Sequence, residues 1–331
     1  MNPQVAIITP TKDRLKLLCQ TMDSIQRQSF DAWEHLVVDD GSDDGTAEEV
    51  ARRAAADVRN RYLQRTGETS GANVCRNIGV RESRAEFIIF LDSVDLLRPR
   101  CLERRVEIMQ GNLGLDFCVF RGALFEKTVG DLGRLWHPQT PGDNLLRFLM
   151  HECVWQTSGP IWRRDFLERI GCFDEKLPCL QDMELHARAL MAGPKYLCFS
   201  DIDHDIRSVF DSEKVSNRYW YDQTYFEVLE NVRAKLFDSL TRNGLNTWSR
   251  RRALLGLSFM AAESWVRAER VYRAMRVWTR ACNQQQAPSH LKIGGLGMIC
   301  AARLGTRWGS VGLRLVNRWK GWVRFRQEPQ T

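Results

Sequence analysis

Glu86-Phe87-Ile88-Ile89-Phe90-Leu91-Asp92-Ser93-Val94-Asp95 is an apolar run that stops on carboxylates. Its unbroken large apolar residues suit a strand buried on both faces, as in a parallel sheet covered by helices. Acids at the carboxyl end of such a strand point into the crevice where open α/β sheets bind their ligands. Asp92 and Asp95 suit a hard cation, a sugar hydroxyl or both, whereas Val94 between them suits neither.

The flanking segments alternate strand and helix patterns, the signature of a mostly parallel sheet flanked by helices. Val5 to Thr9 reads as the first strand, and Leu15, Leu18, Met22 and Ile25 then recur at helical spacing. His35 to Val38 forms a second strand ending at Asp39-Asp40-Gly41-Ser42, where Gly41 permits a tight turn. A helix from about Thr46, a short strand near Tyr62-Leu63 and a helix from about Gly71 to Arg84 follow, and Phe117 to Phe120 reads as a further strand. Asp165 to Ile170 and Asp182 to Ala192 read as helices. From about Tyr219 the pattern is almost wholly helical, with segments near 219–243, 248–282 and 296–326. The expected division is therefore an α/β domain over residues 1–215, its halves meeting near 120, and a helical C-terminal region over 216–331.

The 331 residues carry a net charge of +7 that is unevenly spread. Residues 250–331 hold sixteen Lys or Arg against Glu263, Glu269 and Glu328, a local +13 that leaves −6 for the rest. An acidic body with a basic tail points to different partners for the two regions. The ten cysteines include no Cys-x-x-Cys pair, which argues against a zinc knuckle, and nothing in their scatter suggests a disulfide framework. No stretch approaches a membrane span and no leader pattern precedes Val5, so a cytoplasmic location is expected.

Four turn clusters fall where strands or their following helices begin and end: Thr9-Pro10-Thr11, Asp39 to Ser42, Gly71-Ala72-Asn73 with Arg76-Asn77, and Asp92 to Asp95. Singly each is ordinary turn chemistry. In this order and spacing they resemble the inverting glycosyltransferases of family 2, which share the nucleotide-sugar-binding GT-A fold. The resemblance runs from Val5 to about Arg207. The first strand-to-helix turn lacks Gly-x-Gly-x-x-Gly, which argues against a dinucleotide fold.

The resemblance implies transfer of a sugar from a nucleotide donor to an acceptor hydroxyl. Thr9, Pro10 and Thr11 would flank base and ribose, with Asp39 beside them either on the nucleotide or tying the turn. Asp40 would accept from the base N–H, which favours uracil and a UDP-sugar. Arg76 and Asn77 would brace the loop carrying Asp92 and Ser93 or touch the donor. Mn²⁺ or Mg²⁺ on Asp92 and Asp95 is the implied cofactor, although Val94 replaces the middle acid that usually ligates it. Gln181-Asp182, after Gly171 to Glu175, matches the motif whose Asp is the base; the alternative for Asp182 is a helix cap. Trp155, Trp162 and His151 lie between these motifs as acceptor-binding candidates, and Arg207 falls where a basic residue faces the diphosphate.

At helical spacing Leu304, Trp308, Val311, Leu315, Trp319 and Trp322 line one stripe, with Arg307, Arg314, Arg318, Lys320 and Arg324 beside or opposite it. Such a helix would lie on an anionic membrane and bring the chain to a lipid-linked saccharide acceptor as a peripheral protein. The alternative packs the stripe on its own domain or on a second copy of the chain, as a homo-oligomer. No nucleic-acid module accompanies the basic tail, so no nucleic acid is expected as partner. The competing function is a non-catalytic nucleotide-sugar or glycan binder in which Val94 has removed turnover.

Overall fold

A computed structural model describes residues 2–136, 142–208 and 223–308. They fall into two compact units, one of Met1–Gly142, Cys153–Leu185 and Ala192–Phe210, the other of Asp143–Glu152, His186–Met191 and Asp211–Thr331.

The first unit is built on β1 (Val5–Thr11), α1 (Leu15–Gln26), β2 (Trp33–Asp39), α2 (Thr46–Ala56), β3 (Asn60–Gln64), α3 (Ala72–Glu82) and β4 (Phe87–Phe90). It continues through β5 (Leu96–Leu97), α4 (Cys101–Gly111), β6 (Phe117–Phe125) and β7 (Arg134–Leu135). Helix α5 (Asn144–Leu149) belongs to the second unit; β8 (Pro160–Arg163), α6 (Arg164–Arg169), α7 (Gln181–Met191), whose residues from His186 on belong to the second unit, and β9 (Tyr196–Arg207) follow. Among the described residues the sheet runs β3-β2-β1-β4-β8-β6-β9-β5, with β7 on β6. The β3-β2-β1-β4 half is parallel, and Val5 pairs with both Trp33 and Phe87.

Every residue of β1, β2 and β4 is buried, because helices cover both faces. Val5, Ile7, Phe87, Ile89 and Leu91 pack with Leu102 and Val106 of α4, while Val37 meets Leu18 and Met22 of α1 and Val50 of α2. Helix α3 lies so close to β1 that a Cβ on Gly79 would stand 2.3 Å from a methyl of Ile8. That approach sets the depth at which α3 presents Arg76 and Asn77.

Strand β9 runs through Ser200-Asp201-Ile202-Asp203-His204-Asp205, which shows no apolar alternation. Its buried acids are neutralised across the fold: Asp203 takes two bonds from the fully buried Arg105, at 2.6 and 2.9 Å, and Asp205 takes two from Arg98. His204 is buried in the same network, bonded to Asp203, so it is a structural residue rather than a surface cation.

The second unit is helical. The segment expected to run from 248 to 282 is two helices, because the chain turns at Ala268-Glu269-Arg270 with Glu269 at φ +60°. In chain order its long helices are α8 (Gln223–Arg242), α9 (Trp248–Arg267), α10 (Val271–Gln284) and α11 (Ser289–Trp308). Trp265 and Trp278 centre their core, and a Cβ on Gly295 would overlap the Trp278 ring at 2.2 Å. No helix of the described residues is long and apolar enough to cross a membrane. The basic stripe beyond Trp308 lies outside the described residues.

Candidate functional site

The carboxyl ends of β1, β2, β3 and β4 meet at one edge of the sheet, so side chains distant in sequence converge there. Asp40 follows β2 directly, and its N–H donates to the Thr11 carbonyl at 2.9 Å. Its carboxylate pairs with the Arg65 side chain and accepts from the Gly71 N–H at 3.0 Å. A carboxylate has about four acceptor positions, so lone pairs remain for a ligand. Arg65 escaped the sequence reading; its position just after β3, at the same sheet edge, was the available signal.

Asp39 faces inward. Ser42 donates to one of its oxygens through N–H and hydroxyl at 3.0 and 2.6 Å, and the Tyr62 hydroxyl donates to the other at 2.8 Å. Of the two roles open to Asp39, the structure displays the turn-tying one. Thr9 is fully buried with its hydroxyl bonded to His35 Nε2 at 3.0 Å, which makes it core support rather than a ligand contact. Burial holds that imidazole well below its usual range, at about 4, and therefore neutral. Pro10 is buried, and the buried Thr11 hydroxyl has no hydrogen-bond partner among the described residues.

At the end of β4, Asp92 and Asp95 part company. The Asp92 side chain is 40% exposed and accepts from the buried Arg76 guanidinium at 2.7 Å. Arg76 is fixed by Asn73 at 3.1 Å and by the Phe173 ring beneath it, and its Nε is a buried donor without a partner among the described residues. Asp95 is only 2% exposed. It accepts from Gln156 Nε2 and Ser158 Oγ, each at 3.3 Å, and from the Arg207 N–H at 3.0 Å. Of the two acids expected to hold a cation, the buried Asp95 is committed to protein donors, Ser93 and Val94 are buried, and Asp92 keeps an exposed carboxylate. Among the described residues no cluster of three His, Cys, Asp or Glu is placed to hold a metal ion. In the chain without nucleotide, Asp92 alone is a weak ligand set, since a hard cation held by one carboxylate draws its remaining ligands from substrate phosphates and water. Manganese followed by electron paramagnetic resonance is expected to show no saturable uptake below about 1 mM by the chain without nucleotide.

Arg207 is likewise redirected. Its Nε donates to the Val94 carbonyl at 3.1 Å, Nη2 to Gln20 at 2.6 Å, and its guanidinium lies 4.3 Å from the Phe125 ring centre. It braces the loop from behind instead of offering charge to a diphosphate.

Asn73 and Asn77 reach across to the segment ahead of α7. Asn77 accepts from the Phe173 N–H and donates to the Phe173 carbonyl and to Glu175, while Asn73 donates to the carbonyls of Asp174 and Leu177. Asn77 is therefore a brace, and α3 anchors at one end the chain that leads to Asp182. That chain enters α7 through Leu180, held at φ +64°, a strained conformation for a branched residue. The Glu184 N–H bonds the Leu180 carbonyl, so α7 starts one residue earlier than expected and Asp182 lies in its first turn, not at its cap.

One oxygen of Asp182 accepts from the buried Thr157 hydroxyl. Enclosure by the protein pushes this carboxyl up from 3.8 to about 6; the Thr157 bond and the Arg76 charge pull against that rise, and the Asp92 charge adds to it. Gln156-Thr157-Ser158 thus holds Asp95 with its outer members and Asp182 with its middle one. Nothing in the local sequence marks this turn; the signal is tertiary.

The proposed acceptor aromatics are not surface platforms. Trp162 is fully buried against Phe117 and Phe166 on β8, and Trp155 is 4% exposed beside Phe117 and Tyr196. Both belong to the core of the sheet. His151 belongs to the helical unit, at φ +65° with its Nε2 bonded to the Tyr225 hydroxyl at 3.1 Å.

The family model described as Glycosyl transferase family 2 matches residues 6–169. The GalNAc(5)-diNAcBac-PP-undecaprenol beta-1,3-glucosyltransferase of Campylobacter jejuni is 34% identical over 125 residues, covering 38% of this chain and 40% of that protein. The matched stretch spans only 35% to 42% of the length of the first three curated relatives. In fold, the chain is similar to Staphylococcus aureus TarS 1-349 in complex with UDP-GlcNAc, with a TM-score of 0.62, 16% identity and coverage of 93% and 92%. It is also similar to the Pyrobaculum calidifontis mannosyltransferase in complex with GDP-Man and Mn²⁺, at a TM-score of 0.51, 19% identity and coverage of 93% and 88%.

Proposed function

Because the chain belongs to glycosyl transferase family 2, with the GT-A architecture, we propose that it moves a sugar from a UDP-sugar to an acceptor hydroxyl with inversion at the anomeric carbon. The observation that carries this is the Asp182 carboxyl, held by Thr157 and raised to about 6 beside the Arg76–Asp92 pair. A base in that range is ionised at neutral pH yet basic enough to take a hydroxyl proton.

As the acceptor oxygen attacks, its proton passes to Asp182 and the bond from the anomeric carbon to the diphosphate oxygen breaks. The electron pair leaves with the diphosphate. Arg76, a fixed and largely dehydrated cation, lowers the energy of that charge without reorganising. Asp40 accepts from the uracil N–H, and Asp92, tied to Arg76, receives sugar or ribose hydroxyls through its second oxygen. The name of the Campylobacter relative, which acts on an undecaprenol-linked saccharide, supports a saccharide or lipid-linked acceptor of the kind used in cell-surface glycan synthesis. Peripheral membrane association through the basic tail belongs to the same proposal.

Two measurements test it. A panel of UDP-sugars and GDP-mannose is screened for thermal stabilisation and for nucleoside diphosphate release; a UDP-sugar should both stabilise the chain and be turned over. Stabilisation by UDP without any release from any UDP-sugar would instead identify a binder. The pH profile is the second measurement. The base must be ionised, so turnover should be level above about pH 7 and fall about tenfold per pH unit below about 6. An unperturbed carboxylate would place that limb near 4.

A further inference from the structure

We infer that Thr157 is the positioning residue of the transfer reaction, its hydroxyl holding one oxygen of Asp182 so that the other takes the acceptor proton. This rests on Asp182 being the base.

Three observations converge on it. First, Thr157 is 2% exposed, and its hydroxyl donates to Asp182 Oδ1. A buried donor on one oxygen fixes the carboxylate plane and leaves Oδ2, which has no hydrogen-bond partner among the described residues, as the basic atom.

Second, the turn that carries Thr157 is fastened from both sides. Gln156 and Ser158 each bond Asp95 Oδ2, the Ser158 N–H bonds Gln156 Oε1 at 3.0 Å, and the Gly159 N–H bonds the Gln156 carbonyl at 3.0 Å. Because Asp95 also holds the Arg207 N–H, the turn has little freedom to slide. The base is thereby tied to the loop whose Asp92 grips Arg76, and reacting groups are kept within the narrow geometric tolerance that transfer needs.

Third, α7 alone does not orient Asp182. The residue lies in the first turn of the helix, behind the strained Leu180, and among the described residues Thr157 is the hydrogen-bond donor to its side chain. Removing the Thr157 hydroxyl therefore frees the carboxylate and withdraws the hydrogen bond that favours its charged form.

The test is Thr157→Val, with Thr157→Ser as the restoring variant and Thr157→Ala giving the same readout without the branched methyls. The ¹³C shift of the Asp182 carboxyl, assigned through Asp182→Asn, is followed against pH, and turnover of the UDP-sugar from the panel is measured over the same range. In the Val and Ala variants the carboxyl should titrate at least about half a pH unit higher. Turnover at pH 7 should fall about tenfold with the donor KM unchanged, and Ser should restore both. A Val or Ala variant that titrates and turns over like the native chain overturns the inference. Full activity in Asp182→Asn overturns the assignment of the base itself, a separate result that leaves the titration to report whether Thr157 holds the carboxyl.

Discussion

Asp182→Asn should lower turnover between about 10²- and 10⁴-fold, the range removed with a general base, and leave the affinity for UDP within about a factor of two. The amide keeps the volume of the side chain and can still accept from Thr157, so the fold and the turn at 156–158 persist. What is lost is the basic oxygen. Calorimetry with UDP and a turnover assay on the same preparation separate the two effects, and native-like turnover would rule out Asp182 as the base. The direction also distinguishes catalysis from capping. Loss of a cap would weaken stability by about 1 kcal/mol and leave chemistry largely intact, and Asp182 sits inside the first turn of α7 with its side chain bonded to Thr157.

Asp95→Ala should be the most damaging change to stability, about 3–5 kcal/mol, since it strands buried donors on Gln156, Ser158 and the Arg207 backbone together. For a domain of this size that corresponds to a fall in Tm of about 10 °C, measured by calorimetry. An apparently surface acid of a metal motif would instead cost little stability when removed. A Tm within 2–3 °C of native, about the effect of 1 kcal/mol, would show that Asp95 is not the buried clasp described here.

The two acids of Asp92-Ser93-Val94-Asp95 illustrate how far sequence carries. That β4 ends in the crevice follows from the apolar run and the position of the acids, and the GT-A layout was implied by the family resemblance that four such turns in order carry. Which acid faces the crevice did not follow. A strand alternates its side chains predictably, but beyond Leu91 the chain turns, with the Asp95 N–H closing on the Asp92 carbonyl, and alternation no longer assigns a face. The same limit explains Trp155 and Trp162: a tryptophan reads alike whether it stacks on a sugar or fills a sheet face, and only the neighbours Phe117 and Phe166 decide. Strand β9 was hidden because its acids are neutralised by Arg98 and Arg105, about 100 residues away in the chain.

By itself, then, the sequence determined the parallel half of the sheet, the helices on its faces, the family, and the candidacy of Asp40, Arg76, Asp92 and Asp182. Those depend on local pattern and on the order of motifs, which a chain carries in one dimension. Tertiary structure decided that Asp95 and Arg207 are braces, that Arg65 pairs with Asp40, and that Thr157 holds Asp182. Those depend on which donors meet which acceptors once burial has removed water as the alternative partner, and only the folded chain sets that.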